Sequence, residues 1–97
     1  MDRYHNDEIE RRRGEIDQLD AELVRLLNRR VRIALELARV KHHLGRAVRD
    51  AERERQVLMQ VARENGGPFD ARGLQRIFVT IISESRRVEQ SAQERRR

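Results

Sequence analysis

Cysteine is absent from the chain, which excludes a disulfide framework, a thiolate zinc site and a cysteine nucleophile together. Aromatic residues are scarce: two phenylalanines, one tyrosine and no tryptophan leave little with which to stack bases or build strands. The single proline, Pro68, leaves long stretches free to continue as helix. Residues 1–13 are charged almost throughout and lack the apolar run of a signal peptide or membrane span. A cytoplasmic protein with no membrane association is expected, while the lack of cysteine leaves the redox compartment formally open.

What is present is charge. Charged residues make up 40% of the 97 and apolar ones 37%, a balance that favours helix over sheet, and no β-sheet is expected. The chain is one domain at most, over residues 1–97 with frayed tails at 1–6 and 94–97, and a domain this small gains from a partner chain. A net charge of +5 suits nucleic acid, an acidic membrane or an anionic metabolite, so position has to choose among them. Much of the excess lies in the arginine runs at 11–13 and 95–97, where solvated helix ends are the simple explanation.

Between residues 7 and 44 apolar side chains fall three and four apart, at Ile16, Leu19, Leu23, Leu26, Ile33, Leu37, Val40 and Leu44, which predicts one long helix. At a rise of about 1.5 Å per residue it is too long to fold back on itself in a small domain. A seam of this repeat pairs helices side by side, so a dimer is inferred. Gly45 ends the helix, and Asp50 offers an N-cap for a second helix over residues 50–64, with Glu52 and Glu54 in its first turn and Val57, Leu58, Val61 and Ala62 on its apolar face. Asn65-Gly66-Gly67-Pro68 breaks the chain, and Asp70 caps a third helix that carries Leu74, Ile77, Phe78, Ile81 and Ile82 and fades after Gln90.

Polar residues occupy places where this pattern asks for apolar ones. The seam steps through position 30, which is arginine, and burying an unpaired guanidinium costs several kcal/mol unless an anion meets it. A snorkelling stem or an internal glutamate partner would explain Arg30 without a ligand. Lys41 lies eleven residues further on, close to three turns, so it projects from nearly the same face, although a lysine there also suits solvent. The two stems are about 16 Å apart along the axis, within reach of one small molecule between their ends. On the third helix the row Leu74, Phe78, Ile81 runs on into Ser85 and Glu89. On the second, Glu54 precedes Val57, Leu58 and Val61 on the inward side, with Asp50 and Arg53 nearby, though a first-turn glutamate also serves the helix dipole. Three helices with polar residues on inward faces imply a shared cavity, and its excess positive charge wants an anion.

These residues form an ordered set: Arg13-x-x-Ile16-Asp17-x-Leu19-Asp20, Leu26-Leu27-Asn28-Arg29-Arg30, Lys41, Val48-Arg49-Asp50-x-x-Arg53-Glu54, and Ile77-Phe78-x-x-Ile81-Ile82-x-x-Ser85. The set resembles the all-helical chorismate mutases over nearly the whole chain. The resemblance implies an all-α, intertwined homodimer of three-helix subunits that converts chorismate, a small dianion, to prephenate by an intramolecular Claisen rearrangement without cofactor or metal. It implies that Arg30 and Arg13 bind the two carboxylates, Arg13 reaching in from the other subunit. Residues 13 and 30 are about 25 Å apart along one helix, too far to grip one small substrate unless a partner helix runs antiparallel. Lys41 would meet the ether oxygen and a carboxylate, Asp50 and Glu54 the substrate hydroxyl, and Arg53 and Ser85 would assist carboxylate binding. Lys41, Glu89 and Arg30 are the expected catalytic residues. Such a reaction needs no nucleophile or proton transfer, in keeping with a sequence that offers no triad and no phosphate loop.

The main departure is Glu89, since many bacterial relatives carry glutamine at the matching place and donate to the ether oxygen. An ionised carboxylate cannot donate, so Glu89 is expected to work protonated, its pKa raised by burial against the opposing effect of Lys41. Gly14, inside the long helix, has no physical explanation in the sequence. His5, His42 and His43 lack partners at ligand spacing and are given no role.

Two other function classes fit parts of the sequence. A basic helical nucleic-acid-binding protein would use the arginine runs, but would place its cations outside and its aromatics between them. A relative acting on isochorismate or on an amino-substituted chorismate would use the same cationic cavity, since Glu54 suits an ammonium as well as a hydroxyl. A regulatory complex with another enzyme of aromatic amino-acid biosynthesis is a further expected partner.

Overall fold

A computed structural model describes residues 2–95. Of the tails expected at 1–6 and 94–97, residues 1, 96 and 97 lie outside the described residues, and 2–6 and 94–95 are helical. Three helices follow in order, α1 (Asp2–His43), α2 (Ala51–Glu64) and α3 (Ala71–Arg95), and no strand occurs among the described residues. No helix among them is long and apolar enough to cross a membrane. The chain divides into two compact units, the first ending at Arg30 and the second beginning at Val31, so α1 contributes to both.

In the first unit α1 is supported by pairs one turn apart. Glu8 meets Arg11 and Arg12, Arg12 also meets Glu15 at 3.1 Å, and Glu10 meets Arg13 at 3.1 Å. Such pairs contribute about 0.2–0.5 kcal/mol each. They support the stretch before Ile16, where the apolar pattern has not yet begun, and the helix starts earlier still, at Asp2. Ile16, Leu19, Leu23 and Leu26 are each more than half exposed, so this unit has no core of its own. A Cβ added at Gly14 would meet nothing within 4 Å, and nothing in the structure explains the glycine.

In the second unit α1 ends where the sequence indicates. Gly45 takes φ of 71°, in the left-handed region open to glycine, and the Arg46 and Gly45 amides donate to the carbonyls of Lys41 (2.7 Å) and His42 (3.0 Å). This is the paired closure of a Schellman turn, and it satisfies carbonyls the helix would otherwise leave open. Asp50 then caps α2, its Oδ1 accepting from the Arg53 amide at 3.0 Å. Asn65 organises the next turn: its Oδ1 accepts from the Gly67 amide at 2.9 Å and its Nδ2 donates to the Phe69 carbonyl at 2.9 Å. Gly67 has φ of 76° and precedes Pro68 through a cis peptide bond. Asp70 caps α3 through the Gly73 amide at 2.6 Å.

α2 packs on α3, with Leu58, Val61 and Ala62 lining a shared cleft with Ala71 and Leu74. Along α3 the half-buried row Leu74, Phe78, Ile81 continues through Ser85 to Glu89 and Ala92. The helix runs to Arg95, past the expected end at Gln90, because Val88, Ser91, Ala92 and Gln93 keep the covered face going. Ile77, expected on the apolar face, is 41% exposed. Ala38 is the one buried apolar residue and Ser85 the one buried polar residue among those described.

Removing the α3 cap tests this account of the turn. Asp70→Ala should lower stability by about 1 kcal/mol, a fall in Tm of roughly 4–8 °C for a domain of this size, read by thermal denaturation.

Candidate active site

Apart from Arg13 and Arg30, the polar residues singled out by pattern fall in the last turn of α1, at the start of α2 and in the later turns of α3. Lys41 stands in the last turn of α1, half-buried. The turn at Gly45 sends the chain back past it, so its ammonium donates to the Val48 carbonyl at 3.2 Å. That bond uses one of three N–H groups and fixes the direction of the others.

Asp50 is half-buried and held by its cap to the Arg53 amide, while the Arg53 side chain is exposed. Glu54, a turn further along α2, is joined to α3: Arg86 Nη1 donates to its Oε2 at 2.6 Å, and Arg49 Nε lies 3.9 Å from its Oε1. Both side chains of the Glu54–Arg86 pair are only 25% exposed. This separates it from Glu52–Arg55 and Glu84–Arg87, each at least 60% exposed. The hydrogen bond from Arg55 holds the Glu52 carboxyl below its ordinary pKa, but both groups stand in open solvent and brace the first turn of α2 only.

Ser85 lies buried on α3 immediately before Arg86, and Glu89 follows one turn later, half-buried. The structure thus links Lys41, Asp50, Arg53 and Glu54 through one turn and one helix start. It ties Glu54 to the helix that carries Ser85 and Glu89. Arg13 and Arg30 belong to the first unit. Arg13 is exposed and paired with Glu10, and Arg30 is half-buried although Leu26 and Ile33 on the same seam are exposed. Among the described residues no cluster of three potential ligands could hold a metal ion.

Sequence reasoning missed Arg86. It is 32 residues from its partner, beyond any local spacing rule, and the only available signal was a cation beside Ser85 on the covered face of α3. It also gave His42 no role, whereas His42 Nδ1 and Gln93 Nε2 lie 2.9 Å apart, joining the end of α1 to α3.

The order of three helices that carries these residues matches known proteins. The chain belongs to the chorismate mutase type II family, which it matches over residues 12–90. It is similar to the chorismate mutase (form II) from Thermus thermophilus, with a TM-score of 0.83 and 33% identity over 84% of this chain and 93% of that one. The form I structure from the same organism gives 0.78 and 34%, over 79% and 96%. The chain is 35% identical over 81 residues to a bifunctional chorismate mutase/prephenate dehydratase of Aquifex aeolicus, covering 79% of this chain and 22% of that protein. The bifunctional protein of the same description from Pseudomonas aeruginosa is 36% identical over 89 residues, 87% of this chain and 24% of the relative. The chain therefore spans about a quarter of the length of these bifunctional relatives.

The half-buried pair carries a measurable expectation. A double-mutant cycle with Glu54→Gln and Arg86→Met, read by denaturant unfolding, should give a coupling of about 1–2 kcal/mol. The same cycle on Glu84 and Arg87 should give roughly 0.5 kcal/mol or less.

Proposed function

We propose that this chain is a chorismate mutase, converting chorismate to prephenate. The observation that carries this reading is the half-buried Lys41 ammonium, oriented by the Val48 carbonyl beside the capped acidic start of α2, in a chain of the chorismate mutase type II family. In the reaction the ether C–O bond breaks as a C–C bond forms within the same molecule, so electrons balance without an external proton, nucleophile or oxidant. The protein has two tasks: to hold the flexible substrate with its reacting ends together, and to place donors where charge gathers on the ether oxygen. Lys41 is assigned that oxygen and a carboxylate. Arg30 takes one carboxylate and Arg13 of the partner subunit the other, with Arg53 and Ser85 assisting. Asp50 and Glu54 accept from the substrate hydroxyl. Glu89 donates to the ether oxygen in its protonated form.

An intertwined homodimer is part of the same proposal, and the chain acts as one domain within it. Ile16, Leu19, Leu23, Leu26, Ile33, Leu37 and Val40 are each more than half exposed in the single chain. Leaving such side chains half exposed forgoes roughly 5–10 kcal/mol, comparable with the whole stability of a small domain. A second copy presents the same seam, as an isologous pair requires. The proposal extends to a regulatory or product-consuming partner among the enzymes of aromatic amino-acid synthesis, a coupling that the names of the bifunctional relatives already express.

Loss of chorismate absorbance on adding purified protein tests the reaction and the assembly together. Arg30→Ala and Arg13→Ala should each lower kcat/KM by about 10²–10³-fold, the cost of truncating a charge-paired contact. Refolding the two variants as a mixture should recover about a quarter of wild-type activity, because half the dimers are mixed and each mixed dimer holds one intact site of two. No recovery would remove the cross-subunit role of Arg13, and no turnover by the wild type would remove the reaction.

The role of Glu89 is read from pH. Wild-type turnover should fall as pH rises through the carboxyl's pKa, since the ionised form cannot donate, while Glu89→Gln should stay flat over that interval. Identical alkaline declines in the two proteins would show that the carboxyl proton is not used.

A further inference from the structure

Glu54 and Asp50 are the two acids assigned to the substrate hydroxyl, and an amine at that position of the ring would suit a bare carboxylate at least as well. Glu54 is not bare. Its Oε2 accepts from Arg86 Nη1 at 2.6 Å, and the Arg49 guanidinium stands 3.9 Å from Oε1, inside ion-pair range but beyond a hydrogen bond. Two guanidinium groups around one carboxylate leave one positive charge over. The neighbouring charges do not reverse this: Asp50 and Lys41, each hydrogen-bonded to a neutral backbone group, carry opposite unit charges that cancel in the balance. With Arg86 and Glu54 both only 25% exposed, water screens the balance less than it does for the open pairs on the same helices.

We propose that Arg86 is a specificity-determining residue: by pairing with Glu54 it favours a substrate with a neutral hydroxyl over one with an ammonium at the same ring position. The role rests on the mutase reading above. Arg86 acts through Glu54 and is a positioning residue. Oε2 is taken up by Arg86, so Oε1 is the oxygen left to accept from substrate, and a hydroxyl needs one acceptor and no net negative charge. An ammonium at the same place would approach a carboxylate whose charge is already matched, with the Arg86 guanidinium on Oε2 and that of Arg49 near Oε1. The pair also fixes the carboxylate: 32 residues separate the partners, so α3 restrains a side chain that α2 alone would leave to rotate.

The test compares two substrates in one preparation: chorismate, and the analogue with an amine in place of the ring hydroxyl. The ratio of kcat/KM values does not depend on the folded fraction, so lost stability alone cannot move it. Wild type should prefer chorismate. Arg86→Met should shift the ratio toward the amine by about tenfold, mainly through a lower KM for the amine, as expected when one nearby like charge is removed. Arg86→Lys, which keeps the charge, should stay within about threefold of the wild-type ratio. A ratio unchanged in Arg86→Met, or shifted equally by Arg86→Lys, overturns the charge role while leaving the mutase reading intact. A wild type that converts neither substrate overturns both.

Discussion

A continuous helix of 42 residues carrying leucine, isoleucine and valine along one seam must bury that seam, and this chain does not do so alone. At about 1.5 Å per residue the helix is roughly 60 Å long, and α2 and α3, of 14 and 25 residues, are the only other helices described. The constraint reaches further than stability. If a second α1 supplies the missing cover, residues near one end of each long helix come beside residues near the middle of the other. Two arginines 17 positions apart in sequence can then serve one small molecule. Assembly and site are one requirement in the proposed dimer: the surface that must be covered for folding is the surface that completes the cavity.

The same requirement gives the polar residues their meaning. Arg30, Lys41, Ser85 and Glu89 lie on rows that are otherwise apolar, and each costs free energy to cover unless something complements it. In the proposed reaction a dianion would do so for the cations, and its binding energy would hold an otherwise extended substrate in a reactive shape. Rigid placement is what such a reaction asks of the protein. The Schellman closure at Gly45, the Asp50 cap and the Lys41–Val48 bond all lie within thirteen residues of chain, from Lys41 to Arg53.

Much of this was legible because it rests on local rules. Gly45, Asp50 and Asp70 mark their helix boundaries in the sequence, and each makes the backbone contact its residue type is suited to. Three- and four-residue spacing found the covered rows of α2 and α3, including the polar continuation through Ser85 and Glu89. Apolar periodicity begins only at Ile16 and says nothing of the charged turns before it, so the sequence places the start of α1 near residue 7 and the structure places it at Asp2. The end of α3 was placed too early because Ser91, Ala92 and Gln93 are too small or polar to look covered in a sequence. Arg86 could not be found at all by spacing, since its partner is fixed only when α2 and α3 pack.

Three acids within five residues, Asp50, Glu52 and Glu54, show how helix geometry divides one kind of side chain among different tasks. Asp50 stands just before the first turn, where a short carboxylate reaches the amide of Arg53, and a longer side chain would overshoot it. Glu52 turns outward and meets Arg55 in solvent, so its pair contributes little beyond the helix start. Glu54 is two residues further, about 200° around the axis, and that rotation alone brings it to the face packed on α3. A carboxylate there cannot be left unpaired, yet a partner from its own helix would have to share the crowded inner face. The cation therefore comes from α3. That arrangement leaves the second carboxylate oxygen, Oε1, toward the loop that carries Arg49.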